Sequence, residues 1–154
     1  MPDVTLIEVT DRAGTVIAPA WLAAAESLHR DLRPQLPPHY GDAMARVFTS
    51  GGRLIVAAQA DAAAGLAVWR LLENTIYGRF LYVDDLVTDT SLRSSGVGTA
   101  LLSRCEAIAV ELGCRELVLD SGVQRGRTHR FYFREGFVVR AFHFGKTLPS
   151  SDTP

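Results

Sequence analysis

Residues 86–102 of this chain, Leu-Val-Thr-Asp-Thr-Ser-Leu-Arg-Ser-Ser-Gly-Val-Gly-Thr-Ala-Leu-Leu, pass from a strand-like run into a helical one. Arg93, Gly96 and Gly98 stand at the junction. Two glycines just ahead of a helix let the main chain wrap closely around a ligand, and the free N–H groups and dipole of a helix start favour a phosphate. The segment is therefore a candidate anion cradle. It is not a P-loop, because no Gly-Lys-Ser/Thr follows, and it lacks the third glycine of a dinucleotide fingerprint. Taken alone, the glycines fit an ordinary loop entering a helix equally well. Just upstream, Asp84 and Asp85 interrupt a strongly apolar strand-like run, Arg79–Thr88. Neighbours on a strand point to opposite faces, so only one of the two is expected to address a pocket. The four histidines, His29, His39, His129 and His143, show no metal-ligand spacing with another His, Cys or acid, and no metal is expected.

Elements must position these groups, and the hydrophobic pattern supplies them. Val4–Val9 reads as a first strand and Asp11–Gly14 as a turn. From Pro19, a favoured first-turn residue, Trp21, Leu22, Ala25, Leu28 and Leu32 recur at helical spacing until Pro34. Met44, Val47 and Phe48 suggest a short second helix stopping at Gly51-Gly52. Leu54–Ala58 and Leu66–Leu72 are apolar strands, with Gln59–Gly65 predicted as the hairpin connection. Leu101, Cys105, Ile108 and Leu112 form a helical stripe that predicts a helix from about Gly96 to Leu112, capped by Gly113. Glu116–Asp120 is a short strand, Arg127–Glu135 a helix stopped by Gly136, and Phe137–Phe144 a closing strand. The order β-α-α-β-β-β-α-β-α-β predicts a mixed α/β sheet with helices packed on it.

Composition narrows the function classes. The 154 residues, 47% hydrophobic and 21% charged, suit one globular domain with its own core. A net charge of -1 gives no field strong enough to imply nucleic acid or an anionic membrane as the main partner. Cys105 and Cys114 fit neither a disulfide framework nor a zinc site and read as reduced thiols. The start Met-Pro-Asp-Val has no basic region followed by an apolar stretch, and no run approaches the ~20 residues that cross a bilayer, so a cytoplasmic protein is expected.

Arg93-Ser94-Ser95-Gly96-Val97-Gly98 resembles the Arg/Gln-x-x-Gly-x-Gly/Ala motif of the GNAT superfamily of N-acetyltransferases. Tyr82–Thr88 looks like that family's fourth strand, and Arg130-Phe-Tyr-Phe-Arg-Glu-Gly-Phe137 like its later Phe-Tyr-x-x-x-Gly-Phe signature. The three matches follow in order over roughly residues 79 to 144. The resemblance implies a single domain over residues 1–148 with a polar tail, built on a mostly antiparallel sheet whose fourth and fifth strands splay apart. It implies acetyl-CoA as cosubstrate, with main-chain groups of Leu86, Val87 and Thr88 on the pantetheine arm. Arg93 and the N–H groups of Ser94, Ser95, Gly96, Val97, Gly98 and Thr99 would lie at the pyrophosphate. Where many members place a cofactor-binding Asn, this chain has Arg125, with Gln124 beside it, and the substitute is open between them.

Catalysis is implied on the same basis. Acetyl transfer to an amine needs a neutral amine, a stabilised oxyanion and a proton for the departing thiolate. The tyrosine of the Phe-Tyr signature, here Tyr132, is the family's usual acid. The N–H of Val87 or its neighbour would meet the oxyanion, and the first acid of a Glu-Asp pair, here Asp84, would be the base. Asp85 is the alternative to Asp84, and pairing of either aspartate with an arginine such as Arg79 is the structural one. A primary amine of a small molecule is the expected acceptor, with protein lysine or N-terminal acetylation, or non-catalytic acyl-CoA binding, as the rival readings. A homodimer is possible for this fold.

Overall fold

The computed structural model describes residues 3–92 and 95–151. They divide into two compact units, one reaching to Leu119 and one beginning at Asp120. The first unit is a five-stranded sheet in the order β1-β2-β3-β4-β5, from Thr5–Glu8, Arg53–Gln59, Ala62–Asn74, Gly78–Thr88 and Glu116–Leu119. The first four strands run antiparallel to their neighbours, and β5 lies parallel to β4. Helices α1 (Pro19–Leu32), α2 (Tyr40–Thr49) and α3 (Val97–Glu111) belong to this unit, and α4 (Gly126–Arg134) to the second. The mixed, mostly antiparallel sheet with four helices is the fold class expected from the sequence.

Two apolar clusters explain why the sheet is covered on both faces. Leu54, Val56, Leu66 and Val68 pack with Ala25, Leu28, Met44 and Phe48 of α1 and α2. Their alternating neighbours Ile55, Ala57, Ala67 and Trp69 pack with Val97, Leu101, Cys105 and Ile108 of α3. A strand buried on both faces reads as a continuous apolar run, which is why β2 and β3 look alike in sequence. The Cys105 thiol belongs to this packing, and burial pushes its pKa up to about 12.

Two connections differ from the sequence reading. The link from β2 to β3 is not a seven-residue loop but a tight turn at Ala60-Asp61, both left-handed (φ 48° and 60°), with β3 beginning at Ala62. Paired left-handed residues match the twist of a two-residue hairpin, so the ladder runs further toward the turn. Phe137–Phe144, expected as a closing strand, forms no ladder among the described residues. An apolar run can only supply one side of a ladder; strand structure needs a partner's N–H and C=O groups in register.

Candidate active site

The cofactor side is built from main chain. Gly96 is the N-cap of α3 with φ 81°, a left-handed conformation that favours glycine, and among the described residues no side chain caps this helix end. The amide of Ala100 makes the first helical bond, to the Gly96 carbonyl at 2.9 Å, which leaves the preceding turn without intrahelical acceptors. The buried hydroxyl of Ser95 hydrogen-bonds to no described residue. Val97, Gly98 and Thr99 form the first turn, while Arg93 and Ser94 lie outside the described residues. Gly65 of β3 seats this turn on the sheet. A Cβ there would lie 2.6 Å from Val97 Cγ1 and 3.0 Å from the Val87 carbonyl oxygen. In the sequence Gly65 reads only as a loop glycine, and its close packing is a tertiary fact.

The strand leading to that cradle is paired on one edge only. β5 accompanies β4 from Phe80 to Val83 and then ends, whereas β3 accompanies it to Thr88. From Asp84 to Thr88, including Leu86 and Val87, β4 has no β5 partner. This is the splay that the resemblance implies. An uncapped helix start, an orphaned hydroxyl and an unpaired strand edge fit a phosphate joined to an amide-bearing arm.

The acceptor side is built from side chains. Between Val68 and Trp69 of β3 the register advances by two on β4, from Asp85 to Val83, so Asp84 is the extra residue of a β-bulge. A bulge shifts the alternation by one residue. Val83 consequently packs with the α3 cluster and Val87 with the α1–α2 cluster, although four residues separate them. Asp84 and Asp85, expected on opposite faces, instead line the same cavity of about 210 Å³, with His29 from α1, Arg33 at the C-cap of that helix, and Met44 and Val47 from α2.

Both carboxylates are held firmly there. Arg70 Nε donates to both oxygens of Asp84, at 3.0 and 2.8 Å, and Arg70 Nη2 donates to Oδ2 at 2.6 Å. Arg79, the arginine considered for this pairing, instead donates to the Leu112 carbonyl. Asp85 accepts from Arg33 Nε on Oδ1 at 2.7 Å and lies 2.7 Å from His29 Nε2 on Oδ2. Burial pushes the Asp85 carboxyl up, but the hydrogen bonds and charges of His29 and Arg33 outweigh it and hold the group below the ordinary carboxylate range. An ionised Asp85 accepts a hydrogen bond from His29 Nε2–H, and the other ring nitrogen, Nδ1, is 2.9 Å from the Tyr40 hydroxyl. Burial raises the Tyr40 pKa, with Glu26 and Asp85 adding to it, so Tyr40 keeps its proton and hydrogen-bonds to Nδ1 as a neutral hydroxyl.

Arg33 and Arg70 were not singled out from sequence, and His29 was weighed there only as a metal ligand. For His29 a signal existed: it lies four residues after Ala25 and seven after Leu22, on the helix face that is buried, and it is 2% exposed. A histidine on a buried face requires partners. Which partners is not legible, since Asp85 is 56 residues away in sequence.

The second unit carries Tyr132, buried on α4 between the rings of Phe131 and Phe137. Its hydroxyl hydrogen-bonds to no described residue, and burial pushes its pKa up to about 12, against a smaller opposing effect of Arg125. Arg125 is the N-cap residue of α4. The Gln124 amide packs against Gly122, where a Cβ would meet Gln124 Oε1 at 2.6 Å. His129 donates from Nε2 to the Gly122 carbonyl at 2.8 Å and so braces the same loop.

A sheet opened beside β4, ending at a helix start suited to phosphate, offers a continuous main-chain surface to a long phosphate-bearing ligand. The chain belongs to the acetyltransferase (GNAT) family, whose model matches residues 21–137. Over 72 residues, 46% of this chain and 51% of the relative, it is 39% identical to the uncharacterized N-acetyltransferase YhdJ of Bacillus subtilis (strain 168). Over 66 residues, 43% of each chain, it is 33% identical to an aminoalkylphosphonate N-acetyltransferase of Salmonella typhimurium (strain LT2). The matches thus span about half the length of these curated relatives. In fold, the chain is similar to an aminoglycoside acetyltransferase from an uncultured soil metagenomic sample, with TM-score 0.76 and 16% identity over 95% of this chain and 97% of that one. It is likewise similar to the aminoglycoside N-acetyltransferase AAC(6')-Iy in complex with CoA, with TM-score 0.77 and 16% identity over 96% and 97%. Among the described residues, no helix is long and apolar enough to cross a membrane.

Proposed function

We propose that this chain transfers the acetyl group of acetyl-CoA to a primary amine of a small molecule by direct attack, with both substrates bound together. One observation carries the reading. The five residues Asp84–Thr88 offer an unpaired main-chain edge and, through the bulge, two carboxylates in one cavity. A donor lying along that edge and an amine in that cavity are adjacent by construction. The relatives named for aminoalkylphosphonate and aminoglycoside acetylation agree with an amine acceptor.

Acetyl-CoA supplies an acetyl group activated as a thioester. Main-chain groups of Leu86, Val87 and Thr88 hold its arm, and the amides from Ser95 to Thr99, with Arg93 and Ser94 of the same motif, hold its pyrophosphate. The N–H of Val87 or its neighbour faces the oxygen on which charge develops. Asp85, held below the usual carboxylate range, stays ionised and serves as counter-ion to the entering ammonium. Asp84 takes the proton that the amine must lose. Tyr132, whose raised pKa keeps its hydroxyl protonated, gives a proton to the departing thiolate.

Thiol release measured with acetyl-CoA and a panel of amines, amino acids and peptides tests the activity, and melting temperature tests the donor. Acetyl-CoA at a hundredfold excess over its dissociation constant stabilises the native state by about 2.7 kcal/mol. A larger stabilisation by NAD, ATP or FAD than by acetyl-CoA overturns the donor assignment. Thiol release only with peptides moves the acceptor to protein lysines or N-termini, and acetyl-CoA binding without release under any condition makes the chain an acyl-CoA-binding module.

A further inference from the structure

Two aspartates in an acceptor cavity suggest a polycationic substrate, but the charges there are already matched. Arg70 binds Asp84 through two nitrogens, and Arg33 binds Asp85 while donating from Nη2 to the Asp84 carbonyl. Two carboxylates face two guanidiniums, and His29, the remaining basic group beside Asp85, can add only positive charge. The side chains of Asp84 and Asp85 are 22% and 14% exposed, so an added charge is partly desolvated and needs its own partner. The first ammonium of an acceptor finds carboxylate oxygens as hydrogen-bond acceptors. A second or third finds no uncompensated carboxylate.

The two arginines differ in what they have left to give. Arg70 is committed throughout: its remaining nitrogen, Nη1, donates to the Ser50 carbonyl at 3.1 Å. Arg33 uses Nε and Nη2, whereas its Nη1 donates to no described residue, and its side chain lines the cavity with 40% exposure. A guanidinium with a spare donor at the edge of a charge-balanced cavity calls for an anion. Leu36, Met44, Val47 and Val68 make up the apolar wall, which suits a short hydrocarbon spacer. The volume, about 210 Å³, falls below the roughly 300–1,000 Å³ typical of pockets for drug-sized ligands.

Building on the acetyl-transfer reading, we infer that the acceptor is a small zwitterion: one primary amine at Asp84 and Asp85, joined by a short spacer to an anionic group bound by Arg33. Such a molecule brings its own balancing charge and leaves the cavity neutral. Carboxylate, phosphonate and sulfonate share the required chemistry.

The inference is tested on the unmodified protein with matched acceptors: β-alanine, 2-aminoethylphosphonate and taurine against propylamine, spermidine and kanamycin. At least one zwitterion is expected to exceed propylamine and both polycations by about tenfold or more in kcat/KM, and the best of the three identifies the anion. Arg33→Gln is expected to reduce the ratio of zwitterion to propylamine to within about threefold, chiefly through a higher KM for the zwitterion. A polycation or propylamine as the best acceptor overturns the inference, as does an unchanged ratio in Arg33→Gln. If no amine releases thiol, the acetyl-transfer reading fails, and calorimetry decides the inference separately. The same zwitterion must still bind, about tenfold more weakly to Arg33→Gln, and absence of binding ends the proposal.

Discussion

The two sides of the site are made of different materials. At the start of α3, the groups on offer are consecutive main-chain N–H groups around Gly96. In the cavity lined by Asp84 and Asp85, the groups on offer are side chains from α1, α2, β3 and β4, brought together across as many as 56 residues. The first kind of site leaves a contiguous motif in the sequence. The second leaves scattered residues whose relation appears only after folding, which suits a site whose substrate differs while its donor stays the same.

Tyr132→Phe gives the largest expected effect, because it asks whether one side-chain group outweighs the whole main-chain cradle. It keeps the ring contacts with Phe131 and Phe137 and removes only the hydroxyl. Turnover is expected to fall ~10²-fold with acetyl-CoA affinity retained. Full turnover with a saturating acceptor would make Tyr132 a packing residue.

Asp84→Asn breaks the acceptor side alone. Turnover of a basic amine falls by about 10² at pH 6, where the acceptor is protonated, and the loss shrinks toward pH 9.5 as the amine, with a pKa near 10, sheds its proton unaided. An equal loss at every pH assigns Asp84 an orienting role through Arg70 instead. Acetyl-CoA binding should be untouched, and a parallel loss would join the two sides that the comparison separates.

Gly98→Val makes the converse cut. A β-branched side chain in the first turn of α3 fills space on the ligand side, so acetyl-CoA is expected to bind about tenfold more weakly, about 1.4 kcal/mol, while the acceptor KM stays put. Calorimetry on the folded variant reads this directly, and unchanged affinity for coenzyme A removes the cradle from the site.

The smallest effect concerns pH and stability. Asp85 has a lowered pKa in the folded chain, so its contribution to stability is present above the unfolded value near 4 and is lost as pH falls through the folded value. Between about pH 5 and 2 the melting temperature of the wild type should therefore fall more steeply than that of Asp85→Asn, by roughly 2–4 °C. His29→Leu, which removes the Oδ2 partner, should flatten the same limb. Parallel curves for all three proteins would show that the His29–Asp85 contact carries no net stability.

Most elements were legible because burial on both faces or on one helical stripe leaves a period in the sequence. β2, β3, β4 and α3 were found within a few residues of their ends. The hairpin between β2 and β3 was legible but not its tight turn, because the alanines of Ala62–Ala64 carry no strand signal of their own, and the strand expected at Phe137–Phe144 failed because pairing is decided by a partner.

What the sequence determined by itself is the candidate anion cradle: a helix start is a local structure, and Arg93, Gly96 and Gly98 lie within six consecutive residues, of which Gly96 caps α3 and Gly98 stands in its first turn. It also placed two carboxylates beside that cradle. Only the tertiary structure decided where those carboxylates point and what holds them. One extra residue at Asp84 in the β3–β4 ladder reverses the alternation of β4, because side-chain direction in a strand depends on parity alone, and the register that sets the parity is fixed by pairing with β3. The partners followed from that choice of face: Arg70 across the sheet, His29 from the helix that covers it, and Arg33 from that helix's C-cap.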